Sequence, residues 1–287
     1  MNLTNKYSLP EGLVQVVQKQ LHPPKVDRFS VTALTGPPLI RTLQLERWDE
    51  IETDVSDYLW LLLGTGVDTV LSNTNTKDNI VQHKMEEVID GKCIVGIADI
   101  INNSIIDDYK CTSVYSYLLG EKPEWTSQLN CYAYLRHCEH LRNSTTPTIT
   151  GLRIQAILRD WQKSKTWEKD YPPIAFQVIN LDLWSFEQQE EYIKSRLRDH
   201  IENSHRECTP TEKWQSDDSY AVMKDGRKSA LRVLDSEQEA VNWCNINGYL
   251  PSLGKSTFIT KRPGQRKRCS EYCCVRSVCE YAHHTSH

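Results

Sequence analysis

The sequence predicts an α/β fold in which helices flank a central mixed sheet, and three observations support this class. Apolar residues recur at helical spacing over Glu50–Ser72, as in an amphipathic helix. Two hairpin turns, Asp90-Gly91 and Asn103-Ser104, separate three strand-like segments. A long helical segment then precedes the strict alternation of Leu152–Leu158, which predicts a further strand. The order helix, three strands, helix, strand is typical of a layered α/β architecture.

Length and composition bound the organisation of the chain. It has 287 residues, a mass of 33.2 kDa and a mean hydropathy of -0.56, enough for one substantial core with an appended subdomain. We expect the core over residues 1–205 and the smaller unit over residues 206–287. No run of about 18 apolar residues occurs, so we expect no membrane partner. The N-terminal sequence lacks a secretory pattern, which favours the cytoplasm.

The first elements in chain order are helical. A short helix is expected near Leu13–Gln20, before a proline-rich passage. The helix over Glu50–Ser72 should be buried, because its apolar side chains follow a period of about 3.6 residues. These side chains are Val55, Leu59, Leu62, Leu63, Val67, Val70 and Leu71.

The turn at Asn103-Ser104 fixes the partners of the hairpin around it. Facing residues have numbers that sum to 207, so Asp99 lies opposite Asp108. Because side chains alternate along a strand, Lys110 projects on the same face as Asp108. The sequence therefore predicts that two carboxylates and one ammonium group converge. A solvated hairpin whose register differs by one residue is the alternative.

Opposed carboxylates need a compensating charge. Like charges that face each other on a sheet destabilise it by a few tenths to about 1 kcal/mol. A hard divalent cation, Mg²⁺ or Mn²⁺, is the natural partner, since it binds one or two carboxylates together with water and phosphate oxygens. Lys110 would then orient an attacking water or stabilise charge that develops in a transition state.

These residues resemble the core motif of a nuclease family. The pattern Gly96-x-x-Asp99, followed after eight residues by Asp108-x-Lys110 and Thr112-Ser113, resembles the PD-(D/E)XK nucleases. Further on, Gln128-Leu-Asn-Cys-Tyr132 resembles the Gln-x-x-x-Tyr motif of the RecB-like branch. The resemblance covers most of residues 28–280 and implies the αβββαβ core of that family and Mg²⁺- or Mn²⁺-dependent hydrolysis of DNA.

The same resemblance implies roles for further residues. Gly64-Thr65-Gly66-Val67-Asp68 resembles a Gly-x-x-x-His element whose histidine binds the metal, so Asp68 becomes a metal ligand, or else an ordinary residue of a degenerate site. Glu86 matches an early acidic position. The alternatives are Glu87 and an exposed Glu-Glu pair on an edge strand.

Gln128 and Tyr132 lie one helical turn apart on one face. In the family resemblance they address a phosphate or a base of the substrate. The alternative is that Tyr132 belongs to the core and Gln128 to the surface.

Cysteines organise the end of the chain. Cys269, Cys273 and Cys279, with Cys208 upstream, would form a soft four-thiolate site for iron-sulfur or zinc. The arrangement resembles the iron-sulfur RecB-like nucleases, in which a 4Fe-4S cluster staples the fold into a clasp. Cys274 could replace Cys273. Other candidates for the fourth ligand are Cys93, Cys111, Cys131, Cys138 and Cys244.

Positive charge is concentrated in a single acid-free stretch. It forms a candidate phosphate track, or else a solvated loop. Its residues are Lys255, Lys261, Arg262, Arg266, Lys267 and Arg268.

The resemblance to these nucleases implies a deoxyribonuclease that hydrolyses DNA from its ends, similar to the phage-encoded enzymes used in recombination, repair or replication. Its expected partners are DNA and a phage single-strand annealing protein or recombinase, in the cytoplasm of a bacterial host. A nuclease fold that binds DNA or an assembly without cleaving it is the first alternative. A restriction-type endonuclease is the second.

Overall fold

The computed structural model of the protein describes residues 1–72, 79–120, 122–145, 149–249 and 257–283. The chain divides into two compact units, Met1–Arg206 and Glu207–His287. Across the described ranges, no helix is both long enough and apolar enough to cross a membrane. Lys255 of the basic stretch lies outside the described residues.

The first unit alternates helices and strands. Its helices are α1 (Glu11–Gln20), α2 (Val31–Thr35), α3 (Pro38–Glu46), α4 (Leu59–Ser72), α5 (Val114–Leu118), α6 (Pro123–Arg142) and α7 (Phe186–Glu202). Its strands are β1 (Asn2–Thr4), β2 (Arg28–Ser30), β3 (Glu52–Asp54), β4 (Asn79–Ile89), β5 (Lys92–Asn102), β6 (Ile105–Thr112), β7 (Gly151–Leu158) and β8 (Phe176–Leu181).

The central sheet is mixed. Antiparallel β4 pairs with β5 along its length, so the other partners of β5 share its second edge. There β2 pairs in parallel with Cys93–Val95, and β6 pairs antiparallel with Ile100–Asn102. The sheet continues through β7, parallel to β6, and β8, antiparallel to β7. The predicted α/β class, with helices flanking a mixed central sheet, is confirmed. One edge of β5 is shared by two strands, β2 and β6.

Local sequence explains the main elements. The hairpin register is as predicted, because Ile101 faces Ile106. In β7 the alternation is also confirmed, because every second side chain, from Leu152 to Leu158, is buried and Ile157 lies on the other face. The buried side chains belong to the main hydrophobic cluster, to which α6 also contributes. The buried residues of β7 are Leu152, Ile154, Ala156 and Leu158.

Helix α4 covers the C-terminal part of the predicted helix Glu50–Ser72, but it begins only at Leu59, after β3 and a short 3-10 turn at Val55–Tyr58. The predicted burial is also wrong. Leu59, Leu63 and Val70 expose 38%, 44% and 68% of their surface. One side of α4 contacts β5 and β6. Its apolar residues, LWLLLGTGV, surround the helix instead of forming a stripe, so contact with the sheet cannot bury all of them.

Buried polar side chains join α6 and α7 to their surroundings. Asn130 in α6 is fully buried; its amide donates to the carbonyls of Thr126 and Asp182 and accepts from the backbone N–H of Trp184. In α7, Nε2 of His200 donates to the carbonyl of Leu34 over 3.0 Å. These bonds satisfy polar groups whose burial would otherwise be costly.

The second unit is built on a small antiparallel sheet. Its strands are β9 (Ser219–Lys224), β10 (Arg232–Leu234) and β11 (Thr257–Arg262), in the order β10-β9-β11, and its helix is α8 (Glu237–Ile246). Val222, Ala240 and Cys244 form its buried cluster. Short helical turns at Arg268–Tyr272 and Arg276–Val278 follow.

Candidate active site

Two acidic side chains meet at the point where β5 leaves β6. The last paired residues of this ladder are Ile100 and Asp107, so Asp99 and Asp108 stand just beyond it. The backbone N–H of Tyr109 donates to Oδ2 of Asp99 over 2.9 Å. The Asp99 carboxylate thus takes the place of a backbone acceptor that β5 no longer offers to β6.

The electrostatics of this pair are unfavourable. Asp108 is only 2% exposed, and its Oδ2 lies 2.5 Å from Nζ of Lys110. Burial raises the pKa of Asp108, and the Lys110 charge opposes this only in part. Burial and the Asp108 charge raise the pKa of Asp99 to about 7. Additional positive charge at this place would stabilise both carboxylates in their ionised form.

Asp68 extends the acidic cluster from α4. Its charge raises the pKa values of Asp99 and Asp108 further, after the effect of burial. The side-chain amide of Gln82 in β4 donates to both oxygens of Asp68, over 3.1 and 3.0 Å. Our sequence analysis missed Gln82, although the turn at Asp90-Gly91 gives partner numbers that sum to 181 and so places it opposite Asp99.

The structure does not bring Glu86 to this cluster. Glu86 faces Val95, four residues from Asp99 along β5, which corresponds to about 13 Å. Its exposed carboxylate forms ion pairs with Arg28 and Lys84, each over 3.2 Å. The alternative residue, Glu87, forms an ion pair with Arg142 instead.

The amide and the phenol of α6 face the acids. Nε2 of Gln128 donates to the hydroxyl of Tyr132 over 2.8 Å, and Tyr132 is 5% exposed. Burial, and then the charge of Asp108, raise the pKa of Tyr132. The hydroxyl therefore remains protonated and keeps its ability to donate a hydrogen bond.

A glycine allows this helix to approach the sheet. A Cβ atom at Gly96 would stand 2.7 Å from Cδ1 of Tyr132 and 2.9 Å from Cδ1 of Leu135. Both separations are shorter than nonbonded carbon atoms allow. Glycine at the first position of the predicted motif thus has a packing role that spacing alone did not reveal.

The donor atoms suit a hard cation. Within the described ranges, no group of three or more His, Cys, Asp or Glu side chains is arranged to hold a metal. However, Mg²⁺ is commonly held by one or two carboxylates with water and phosphate oxygens completing its shell. Asp99 and Asp108 provide such a pair; burial, and then the charges of neighbouring carboxylates, raise the pKa of each, and the Lys110 charge opposes these shifts only in part.

The four predicted cluster thiols influence one another in the second unit. Burial raises the pKa of Cys208 to about 11 and that of Cys273 to about 12; Cys269 and Cys279 contribute to both shifts. Cys274 adds to the shift of Cys273. Among the described residues, these thiols form no disulfide and are not arranged as a metal site.

The other candidate cysteines are dispersed. Cys93 and Cys111 lie in β5 and β6, whereas Cys131 and Cys138 are buried in α6. Cys244 belongs to the core of the second unit.

Comparisons with known proteins place the chain in no family. No protein-family model matches it, and neither does any curated protein. A solved structure titled "Crystal structure of SSO0001" is similar, with a TM-score of 0.47 and 20% sequence identity over 71% of this chain and 91% of that chain. A likeness of this degree assigns neither a fold family nor a function.

Proposed function

We propose that the protein is a metal-dependent deoxyribonuclease that hydrolyses phosphodiester bonds from DNA ends, on a RecB-like PD-(D/E)XK core. One observation carries the proposal. Asp99, Asp108 and Lys110 converge where β5 leaves β6, and both carboxylates have raised pKa values. Ionisable groups that perturb one another in this way are concentrated at active sites.

The carboxylates would hold the cation. Asp99 and Asp108 are close enough for the charge of Asp108 to raise the pKa of Asp99, and Asp68 would join them once its bond to Gln82 is exchanged. When bound, Mg²⁺ or Mn²⁺ supplies an activated water and neutralises charge on the phosphate.

Lys110 and the α6 pair would act on the substrate. Lys110 carries a fixed positive charge at the buried end of the site, where it can stabilise charge that develops on the phosphate oxygens. The protonated hydroxyl of Tyr132, held by Gln128, can donate to a phosphate oxygen and so orient the scissile bond.

The first test measures cleavage. Full-length protein, purified anaerobically, is incubated with end-labelled linear DNA and with closed circular DNA, with and without Mg²⁺ or Mn²⁺. We expect metal-dependent loss of the linear DNA only, and Lys110→Ala should reduce its rate by about 100-fold or more.

Lys84→Ala is the matched control, because Lys84 is an exposed lysine on the same sheet that pairs with Glu86. Equal rates for the two variants would contradict the role of Lys110. Cleavage of the circular DNA at fixed sites would favour the restriction-type endonuclease.

A second candidate function is DNA binding without cleavage, as a catalytically degenerate subunit. The bonds from Gln82 to both oxygens of Asp68 favour it, because they engage the carboxylate that stands at the family's histidine position. A folded protein that retards DNA but leaves it intact with either metal would establish this alternative.

The proposal includes an iron-sulfur cluster in the second unit, with zinc as the other soft metal. The mutual influence of Cys208, Cys269, Cys273 and Cys279 supports it. Cys279→Ser should lower both the iron content and the melting temperature, whereas Ser270→Ala, in the same part of the chain, serves as the control because the Ser270 hydroxyl donates to the nearby carbonyls of Arg266 and Lys267. An unchanged metal content in Cys279→Ser would remove this residue from the ligand set.

The biological setting is proposed on the same resemblance. The activity would serve phage or prophage recombination, repair or replication in a bacterial cytoplasm, beside a single-strand annealing protein or recombinase. Co-purification of such a protein with the wild-type chain, under conditions where Lys110→Ala also retains it, tests the partnership separately from cleavage.

A further inference from the structure

The segment that follows β7, residues 159–171, projects from the first unit and is named here the β7 loop. It is anchored at both ends. The indole Nε1 of Trp161 donates to the carbonyl of Pro172, and the backbone N–H of Gln162 donates to the hydroxyl of Tyr171, each over 2.8 Å. Trp161 and Tyr171 also pack against the main core. The intervening residues 162–170 are all exposed.

The β7 loop displays one aromatic ring among cationic side chains. Trp167 exposes 81% of its surface, an unusual state for a side chain that normally buries most of its area. Lys163, Lys165 and Lys169 accompany it at alternate positions. Within the described ranges, no ion pair engages these three ammonium groups.

Acidic residues of the β7 loop offset most of the positive charge of its lysines and arginine. Glu168 and Asp170 are exposed. Asp160 is engaged at the base of the loop, where it accepts from the backbone N–H of Val114 over 2.7 Å. The net positive charge is therefore small, and stacking on Trp167 must provide a large part of any affinity for a charged polymer.

The base of the loop lies beside the candidate active site. Strands β6 and β7 are parallel, Thr112 faces Leu158, and the backbone N–H of Arg159 donates to the carbonyl of Thr112 over 2.9 Å. Thr112 is two residues from Lys110, which corresponds to about 7 Å along the strand.

A second contact, from helix α4, also links the β7 loop to the acidic cluster. The guanidinium of Arg159 lies 4.4 Å from the ring centroid of Trp60, which is 60% exposed. Trp60 precedes Asp68 by eight residues in α4, or about 12 Å along the helix axis. Arg159, the first residue of the β7 loop, thus contacts the same helix that carries Asp68.

We infer that the β7 loop and the Trp60–Arg159 pair form a binding strip for the single DNA strand that leads to the candidate active site. The inference rests on the proposed function and adds the form of the substrate. An exposed indole can stack on any unpaired base, and neighbouring lysines can contact the phosphates, without sequence preference. Paired bases in a duplex do not offer their faces to such a ring.

The test compares binding of single-stranded and blunt duplex oligonucleotides to the full-length protein by fluorescence anisotropy, with EDTA present so that cleavage does not occur. Stacking contributes about 1–3 kcal/mol per base. Trp167→Ala should therefore weaken single-strand binding by about 10-fold and duplex binding by less than about 2-fold. Trp167→Phe, which retains a stacking ring, should recover most of the affinity.

Leu141→Ala is the matched control, since Leu141 is 57% exposed near the end of α6 and should bind as the wild type does. Unchanged single-strand binding by Trp167→Ala, or an equal loss on duplex DNA, would overturn the inference. Binding that depends on Trp167 in a protein that never cleaves DNA would support the strip and refute the nuclease, so the two failures are distinguishable.

Salt dependence tests the lysines. In Lys163→Ala/Lys165→Ala, the slope of log K against log salt for single-stranded DNA should fall in magnitude by about 1.4, since each phosphate contact contributes about 0.7. An unchanged slope would contradict phosphate contact by these side chains.

Discussion

Two adjacent carboxylates, on opposite faces of β6, have opposite surroundings. Asp107 is 4% exposed, yet Nε and Nη2 of Arg153 and Nε2 of Gln155 all donate to it over 2.7 Å. Asp108 is 2% exposed, Lys110 is its one ion-pair partner among the residues that the structure describes, and the Asp99 carboxylate is nearby.

The difference separates a carboxylate that the fold balances from one that the proposed function would use. A buried carboxylate with a bidentate arginine and an amide is balanced, and its charge is part of the fold. A buried carboxylate beside another carboxylate is not balanced, and it favours any added cation. Sequence composition does not distinguish Asp107 from Asp108; their neighbours on β7 and β5 do.

The largest expected effect is on cleavage, in Asp108→Asn. We expect the cleavage rate to fall by about 1,000-fold, because a metal-holding charge at the reacting phosphate is lost. The free energy of unfolding should change by less than about 1 kcal/mol, since the lost charge was costly to bury. The cleavage assay measures the rate, and urea denaturation measures the free energy of unfolding. A wild-type cleavage rate in Asp108→Asn would contradict the difference proposed between Asp108 and Asp107.

Asp107→Asn should show the reverse behaviour. Removing one partner of a buried ion pair leaves Arg153 uncompensated and costs about 3 kcal/mol or more. Cleavage per folded molecule should stay near the wild-type value at a temperature where the variant is folded. If Asp107→Asn unfolds at the wild-type urea concentration, the Arg153 pair does not stabilise the fold as its geometry indicates.

His200 sharpens the comparison, because it is a buried ionisable group that is kept neutral. Burial lowers the pKa of His200 from 6.5 to about 4. Below pH 6.5 the unfolded chain binds a proton that the folded chain rejects, so stability falls as the pH decreases from about 6.5 to about 4. The loss reaches about 3 kcal/mol for this group.

His200→Gln should reduce that pH dependence, and urea denaturation at pH 4.5 and 7 measures it. The same difference between the two pH values in both proteins would show that His200 is not the group responsible.

Much of the candidate site could be predicted from local sequence. The turn at Asn103-Ser104 is sufficient to place Asp99 opposite Asp108, and strand alternation places Lys110 beside it. Because side chains alternate between the two faces of a strand, Asp107 must lie on the face of β6 opposite to Asp108 and Lys110. These relations involve residues near one another in the chain, where turn geometry controls the register.

Other features depend on distant segments. Asp99 reaches the N–H of Tyr109 because β5 pairs with β2, which lies more than sixty residues upstream. The ion pair between Asp107 and Arg153 and the contact between Trp60 and Arg159 join segments that no local pattern relates. The exposure of α4 was also missed, because an apolar helix is normally buried.

Gly96 contributes to the site through the side chain that it lacks. Side-chain atoms of Tyr132 and Leu135 occupy the volume where a Cβ atom of residue 96 would stand. These two side chains of α6 can therefore pack directly on the backbone of β5. A larger residue at this position would force the ring of Tyr132 or the side chain of Leu135 to shift. The position of the Tyr132 ring beside the acidic side chains therefore depends on the bare backbone of β5 at residue 96.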